Sequence, residues 1–560
     1  MKSWQFYEEN NELAEEISNK FKISKLLAQI LINKNVTKDD EIEVFLNPKR
    51  NNFYDPFLMP DMEKAVERII KAIENKEKVL IYGDYDVDGI TSTTVLKKFL
   101  EKLGMTVDYH IPNRLKEGYG LNKEAIEEIA EKGTQLMITV DCGISGVEET
   151  EYAKSKGIDV IITDHHEPGE KLPNAIAVVD AKIKTNRYPF NQLAGVGVVF
   201  KLIQALSIRL KLDEKEYLQY LDLVCLGTIS DIVPLVDENR VIAKLGLKLV
   251  NVTKNIGLRT LLESAGYTVA DSNTISFGIA PRVNACGRMG FADQALGLLL
   301  SENRNDALEL ATKLNEYNKE RQEKEKKIFN DALELIEQDE ENSPAIVLGK
   351  EGWHHGVIGI VSSKITEMFF KPSILIGFEG EEGKGSGRSI PGIDLHEALL
   401  KCGNNLEKYG GHAMAIGLSL KKENFGEFKK ELNEYLASLN IGEIKQIIKV
   451  DAIADLQSIS MKTVEELKLL EPFGEENKMP IFCLKNLKIY SIRALTEGKH
   501  LKLTLRDDNM EIGAIGFNMG EMTNSLKIGD KVDIIGALEI NEYNGYRNIQ
   551  MNLKDVMKSL

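Results

Sequence analysis

Three short runs, Val79-Leu80-Ile81-Tyr82, Leu136-Met137-Ile138-Thr139-Val140 and Val160-Ile161-Ile162, are apolar at nearly every position rather than at alternate ones. That is the pattern of strands buried on both faces. Stretches with helical spacing lie between and after them, at Thr91–Leu103, Lys123–Lys132 and Val147–Lys156. Strands alternating with helices predict a parallel sheet, which places the carboxyl ends of its strands along one edge, where ligands bind. Residues 1–50 carry helical periodicity (Leu13, Ile17, Phe21; Leu26, Leu27, Ile30) and predict a helical lead-in. From about Asn305 to Ile336 the apolar positions are intermittent, and Lys319–Lys327 is almost wholly polar. Such a pattern predicts one long, solvated connecting helix. A second α/β unit begins at Ala345-Ile346-Val347-Leu348. After the turn-rich Pro472-Phe473-Gly474, the period shortens to two in Leu501–Arg506, Ile512–Phe517 and Val532–Leu538, which predicts a small β-barrel of the OB type. The expected division is a lead-in (1–50), an α/β domain (51–300), a connecting helix (301–340), a second α/β domain (341–440) and the barrel (441–560).

Composition narrows this little. A chain of 560 residues suits three or four domains. Five widely spaced cysteines, with no Cys-x-x-Cys, argue against a disulfide framework and a thiolate zinc site. The first ten residues lack the basic and apolar regions of a signal peptide, and no apolar run reaches the roughly 20 residues of a membrane helix. A cytoplasmic protein with no membrane partner is expected. The net charge of −16 weighs against nucleic acid only as a global sum, because binding depends on where the cations sit.

The chemistry lies at the strand ends. Asp84, Asp86 and Asp88 follow the first strand, between Gly83 and Gly89. Asp141-Cys142-Gly143 closes the second, and Asp164-His165-His166 the third. Taken alone, the first loop also reads as a solvated acidic turn or a calcium-type loop, although its twelfth position is Val95 rather than Glu. A shared strand-end position instead predicts convergence. Carboxylates and imidazoles without thiolate suit Mn²⁺, Mg²⁺ or Fe. With this many carboxylates, two ions bridged by a shared aspartate become natural.

These motifs resemble those of the DHH phosphoesterase superfamily. His110–Arg114 with Gly118-Tyr119-Gly120, then Gly227–Leu235, then Ala280–Arg288, narrow the resemblance to the RecJ family of single-strand-specific 5′→3′ exonucleases, over nearly the whole chain. The resemblance implies two ions, Mn²⁺ or Mg²⁺, held by Asp84, Asp86, Asp88, Asp141, His165 and Asp231, with Asp141 as the bridge. It implies catalytic roles for Asp86, Asp88, Asp141, His165, His166 and Asp231. Asp84 and His166 stay open between direct ligation and orientation of other ligands. Related small phosphatases carry a His where this chain has Tyr82, and Asp84 is the expected replacement.

The same resemblance places substrate contacts. Asn113, Arg114 and Tyr119 read as phosphate contacts or as an ordinary polar loop. Arg282, Asn284 and Arg288 read as DNA-backbone contacts or as partners of local acids. Arg321-Gln322 reads as facing a groove between two lobes or as plain helix surface. Trp353–Gly356, Gly385–Ser389 and Gly410–His412 resemble the DHH-associated domain that holds a 5′ end. Glycine lets backbone N–H groups approach phosphate closely. Arg388 is the preferred anchor, with His355, Ser386, Ser389, Gly411 and His412 around it, whereas His354 reads as a helix cap. On the barrel, Lys502, Arg506, Tyr543, Tyr546 and Arg547 are candidates for tracking a single strand, or ordinary surface.

The expected activity is digestion of single-stranded DNA from the 5′ end to 5′-mononucleotides, in recombination and repair. Single-strand-binding protein and a RecQ-type helicase are the partners that the resemblance implies. A phosphodiesterase for short oligonucleotides or cyclic dinucleotides needs neither the barrel nor the long helix. A non-catalytic replication scaffold does not need the complete acid and histidine set.

Overall fold

The computed structural model describes residues 2–113, 117, 118, 120–338, 343–439, 445–508, 510–543 and 545–559. Strand β1 (Lys2–Phe6) opens the chain. A parallel sheet follows, built of β2 (Val79–Tyr82), β3 (Val107–His110), β4 (Leu136–Val140), β5 (Asp159–Thr163) and β6 (Ala177–Val179), in the order β3-β2-β4-β5-β6. Its alternate side chains enter two cores. Val79, Ile81, Ile138, Val140 and Ile161 pack with helices Met62–Asn75, Val87–Lys102 and Gly195–Arg209. Leu80, Tyr82, Met137, Val160 and Ile162 pack with Lys123–Glu131 and Val147–Ser155 on the other face. Burial on both sides explains why these strands read as apolar throughout.

The second lobe holds β7 (Ile346–Glu351), β8 (Ser373–Glu379), β9 (Glu382–Arg388), β10 (Lys408–His412) and β11 (Ala415–Lys421), ordered β10-β11-β9-β8-β7. Only its β7–β8 pair is parallel. Then come β12 (Gln446–Val450), β13 (Ala452–Ile453), β14 (Phe482–Leu495), β15 (His500–Arg506), β16 (Glu511–Gly516), β17 (Lys531–Tyr543) and β18 (Tyr546–Lys558). The β14–β17 pairing closes the order β14-β15-β16-β18-β17 into a five-stranded barrel, as the OB reading expected.

One expectation needs correction and another gains a detail. The lead-in is not purely helical, because β1 pairs in parallel with β12 from the far end of the chain. Nor does it pack alone: Leu27, Ile30 and Leu31 share one core with Leu470, Phe482 and Leu501 of the barrel region. The long helix runs Arg304–Gln338, and its polar middle is mostly exposed, as at Lys319, Glu320, Gln322, Glu323, Lys326 and Lys327, with one buried seam. Asn318 and Glu325 are buried, and Glu325 takes both Arg321 of its own helix and Lys364 of the second lobe. Glu325 is thus paired across the lobe junction, which a helical wheel does not reveal.

Candidate active site

The loop after β2 turns directly into helix Val87–Lys102. Asp86 caps that helix, its Oδ1 accepting from the backbone N–H groups of Asp88 (2.9 Å) and Gly89 (3.1 Å). Asp88, in the first turn, is buried and accepts from Gly195 N (2.6 Å) and Val196 N (2.8 Å), the start of helix Gly195–Arg209. Asp141 follows β4 with φ at 59°, a left-handed backbone that Asp tolerates better than most residues. A Cβ on Gly195 would lie 2.7 Å from Asp141 Oδ1, so only glycine admits this approach. Asp231 caps the end of helix Leu221–Ser230.

After β5, Asp164 acts as an orienting group. Its Oδ2 accepts from Ile144 N (2.9 Å), and its Oδ1 from His165 N (2.7 Å) and from Nδ1 of His166 (2.6 Å). His165 Nε2 lies 3.1 Å from Asp141, 3.6 Å from Asp231 and 3.8 Å from Asp88. Among the described residues that nitrogen is buried with no hydrogen-bond partner.

The electrostatics are those of a site crowded with acid. Burial, reinforced by the charge of Asp86, drives the Asp88 carboxyl up to about 7. Burial and then the charge of Asp88 hold Asp141 and Asp231 well above the usual carboxylate range. His165 is pulled down to about 3 by burial and by His166, so the ring is neutral and its carboxylate contacts are not ion pairs. Burial would lower His166 too, but its hydrogen bond to Asp164 prevails and raises it.

Three overlapping sets gather ligand atoms within 4.8 Å of one another: Asp84, Asp86 and Asp141; Asp88, His165 and Asp231; Asp141, His165 and His166. Asp141 belongs to two of them. Adjacent buried carboxylates around a neutral imidazole repel one another unless a cation lies between them, and the donors are oxygen and imidazole nitrogen. The residues therefore fit a pair of hard divalent cations. Asp84, Asp86, Asp141, His166 and Asp231 line a cavity of about 240 Å³ together with Tyr85, Asn284 and Arg288, with Asp88 and His165 buried behind it.

The sequence matches three family descriptions: DHH family, N-terminal domain, over residues 78–228; DHHA1 domain over 342–438; and RecJ OB domain over 450–555. It is 41% identical to the single-stranded-DNA-specific exonuclease RecJ of Bacillus subtilis (strain 168), over 99% of this chain and 71% of that protein. The chain belongs to the RecJ family. Its fold agrees with RecJ from Thermus thermophilus in complex with Mn²⁺, with a TM-score of 0.87 and 30% identity, covering 100% of this chain and 80% of that one. The Mg²⁺ complex of RecJ from the same organism gives a TM-score of 0.82 at 28% identity, covering 100% and 78%.

In this RecJ-family chain the second lobe meets the metal centre at Arg288. Arg288 lines the acidic cavity, a groove of about 780 Å³ and a pocket of about 450 Å³, and its Nη1 donates to the Gly356 carbonyl (3.0 Å). His355, Ser386 and Arg388 line the pocket, with Nη1 of Arg388 donating to Ser386 Oγ (3.2 Å) and the Gly387 carbonyl (2.8 Å). Ser389, Gly411 and His412 are not among its lining residues. Ser389 is buried and donates to the Ile393 carbonyl (2.7 Å), so its hydroxyl serves the fold.

The other expected contacts divide. Asn284 borders the metal cavity and accepts from Val87 N (3.2 Å), whereas Arg282 turns to Asn315 Oδ1 (2.7 Å) and the Gly278 carbonyl. Asn113 donates to the Gly290 carbonyl (3.2 Å). Gln322 is exposed, while its neighbour Arg321 lines the groove. Arg114 and Tyr119 lie outside the described residues. His354 caps its helix, accepting from Gly356 N (3.1 Å).

Sequence reasoning missed Tyr85 at the metal cavity and Lys384, Lys408 and Tyr409 in the pocket. It also missed Asp180, which follows β6 and is buried, its carboxyl raised to about 7 by burial. The strand-end rule would have found Asp180, but a three-residue strand leaves too short a pattern. Among the described residues, no helix is long and apolar enough to cross a membrane.

Proposed function

We propose that this chain is a single-stranded-DNA-specific exonuclease that hydrolyses phosphodiesters from the 5′ end and releases 5′-mononucleotides. Its relatives bear that name, and two solved relatives carry Mn²⁺ or Mg²⁺. The observation that carries the reading is Arg288, which borders the acidic centre, the groove and the second-lobe pocket at once. A strand lying in the groove would reach the centre with its 5′ terminus in the pocket, whose lining residues Arg388, Ser386 and His355 would supply donors for a phosphate. Holding the end one nucleotide from the acids makes the product a mononucleotide.

Asp84, Asp86, Asp88, Asp141, His165 and Asp231 would hold two divalent ions, Mn²⁺ or Mg²⁺, with Asp141 shared. When bound, such a pair supplies Lewis-acid polarisation of the phosphoryl group and a lowered pKa for water. The chain's own contribution is orientation. Asp164 fixes the His166 ring beside the centre, and Asp88 is held by two backbone N–H groups so that it cannot swing away. Arg288 places a guanidinium where phosphoryl charge develops. Asn113, Asn284 and Gln322 would follow the strand toward this point, and the family resemblance adds Arg114 and Tyr119 as phosphate contacts.

We assign residues 51–300 to catalysis and 341–440 to holding the 5′ end, with 301–340 joining them and 441–560, together with the lead-in, carrying the strand. In the cell it would work in the cytoplasm, beside single-strand-binding protein and a RecQ-type helicase, on repair and recombination intermediates. Five free, buried cysteines suit that reducing compartment. The test is a single-stranded oligonucleotide labelled at either end, with Mn²⁺ and with chelator. Release of the 5′ label first, as a mononucleotide and only with metal, is expected. Release of the 3′ label first, or digestion of blunt duplex at the same rate, would falsify the reading.

A further inference from the structure

Strand β14 leaves its ladder twice. Its register slips against β17 between Leu484 and Leu487, and against β15 between Ile489 and Ser491. A bulge re-aims the residue it releases. Here the released residues include Lys485 and Tyr490, both exposed, Tyr490 to 57%. With Lys488, Arg506 and Lys531 they line a cavity of about 630 Å³, which Asp507 and Asp508 also border.

Cations and rings are interleaved around it. The Arg506 guanidinium lies 4.2 Å from the Tyr490 ring centre, Lys485 Nζ 5.3 Å from that of Phe6, and Lys449 Nζ 5.7 Å from that of Tyr7. Arg506 pairs with Glu511, whereas Lys449, Lys485, Lys488 and Lys531 have no ion-pair partner among the described residues. In a chain of net charge −16 this is a local reversal of sign. Strand β1 ties the patch to the active-site groove. Lys2 Nζ donates to the carbonyl of Lys554, which lines the groove, while Phe6 at the other end of β1 lies beneath Lys485. Five extended residues span about 13 Å.

We propose that this surface is a second binding site for single-stranded nucleic acid, holding the downstream part of the strand whose 5′ end occupies the metal centre. The inference rests on the exonuclease reading. It differs from the usual OB cleft, which uses the second and third barrel strands and the loops beside them (here β15, β16 and the loops after β14 and β17). Exposed rings stack bases, and unpaired lysines take phosphates. An acidic peptide would use the lysines but leave the rings without a role.

The test compares the full-length chain with a K485E/K488E/K531E variant and, separately, Y490A. Binding is read by anisotropy in EDTA on oligonucleotides of about 5 and about 30 nucleotides, below and above one OB-fold site. Cleavage of both is read in Mn²⁺. The triple variant should bind the long strand about tenfold more weakly, with a salt slope shallower by about 2. Its kcat/KM on the short strand should not change. Y490A should weaken long-strand binding about tenfold at an unchanged salt slope. Unchanged long-strand binding, or equal losses at both lengths, would overturn the proposal. Loss of binding to polyglutamate but not to the oligonucleotide would also overturn it and assign the patch to protein docking. A wild-type chain that holds the long strand through these lysines yet cleaves neither length would leave this surface standing and reject the exonuclease reading instead.

Discussion

Asp141 stands where a left-handed backbone, a glycine contact and two ligand sets coincide. Asparagine tolerates the same φ and has nearly the same size, so Asp141→Asn removes the charge without removing the turn. The variant should keep its circular dichroism spectrum, lose Mn²⁺ binding by calorimetry and lose activity about a thousandfold, the equivalent of about 4 kcal/mol. Asp164→Asn should cost about 10–100-fold in metal affinity or activity, because it acts on the centre through the histidines it orients. The pH dependence follows from Asp88. Its folded carboxyl titrates at about 7 without metal, against about 3.9 unfolded. Between those values the folded metal-free chain holds a proton that the unfolded chain has lost, so the Asp88 contribution falls as pH rises from about 4 and is fully lost above about 7. Metal must displace that proton. Asp88 alone should therefore lower the stability of the metal-free chain by at most about 1.4 kcal/mol for each pH unit between about 4 and 7, with Asp141 and Asp231 acting in the same direction and His165 in the opposite one, while the increment in melting temperature from Mn²⁺ grows from pH 5 to pH 8. A Mn²⁺ increment that shrinks over that range would contradict this ordering.

At the scale of elements, the pocket depends on β9 and β11 lying close together. A Cβ on Gly385 or Gly387 would come within 3 Å of Leu418 or Ile416 side chains, so the glycines let the strands present Ser386 and Arg388 to one side. A charge-assisted contact to a terminal phosphate contributes about 1.5–3 kcal/mol. Arg388→Ala should accordingly raise KM about 10–100-fold on a 5′-phosphorylated oligonucleotide, and clearly less on the 5′-hydroxyl form. Equal effects on both would remove Arg388 from the phosphate. On the long helix, Glu325 reads as surface like its exposed neighbours until Lys364 from the second lobe is seen to meet it.

At the scale of the whole molecule, Arg240 joins three regions. It is buried, and its guanidinium donates to the carbonyls of Phe45 (2.8 Å), Leu470 (2.9 Å), Leu469 (3.0 Å) and Glu471 (3.1 Å) while stacking on the Phe45 ring. Lead-in, catalytic lobe and barrel connector are thereby locked together. Arg240→Ala leaves those acceptors buried without this donor, and should destabilise the chain by at least about 3 kcal/mol. Trp4 beside the barrel and Trp353 in the second lobe are the only tryptophans, so Trp4 fluorescence in a Trp353→Phe background reads that loss during urea unfolding.

The sequence by itself determined what is periodic or local. Apolar strands ending in acids specified the parallel sheet, its functional edge, and the gathering of Asp86, Asp88, Asp141 and His165, because chain direction alone puts those ends together. Period-two alternation specified the barrel. Tertiary structure decided what depends on distant segments meeting. The pairing of β1 with β12, the burial of Glu325, the turn of Arg282 away from the groove and of Ser389 into the fold, and the junction at Arg288 all require contacts between parts of the chain far apart in sequence. No local pattern records such contacts, since periodicity reports which face is buried and not what buries it.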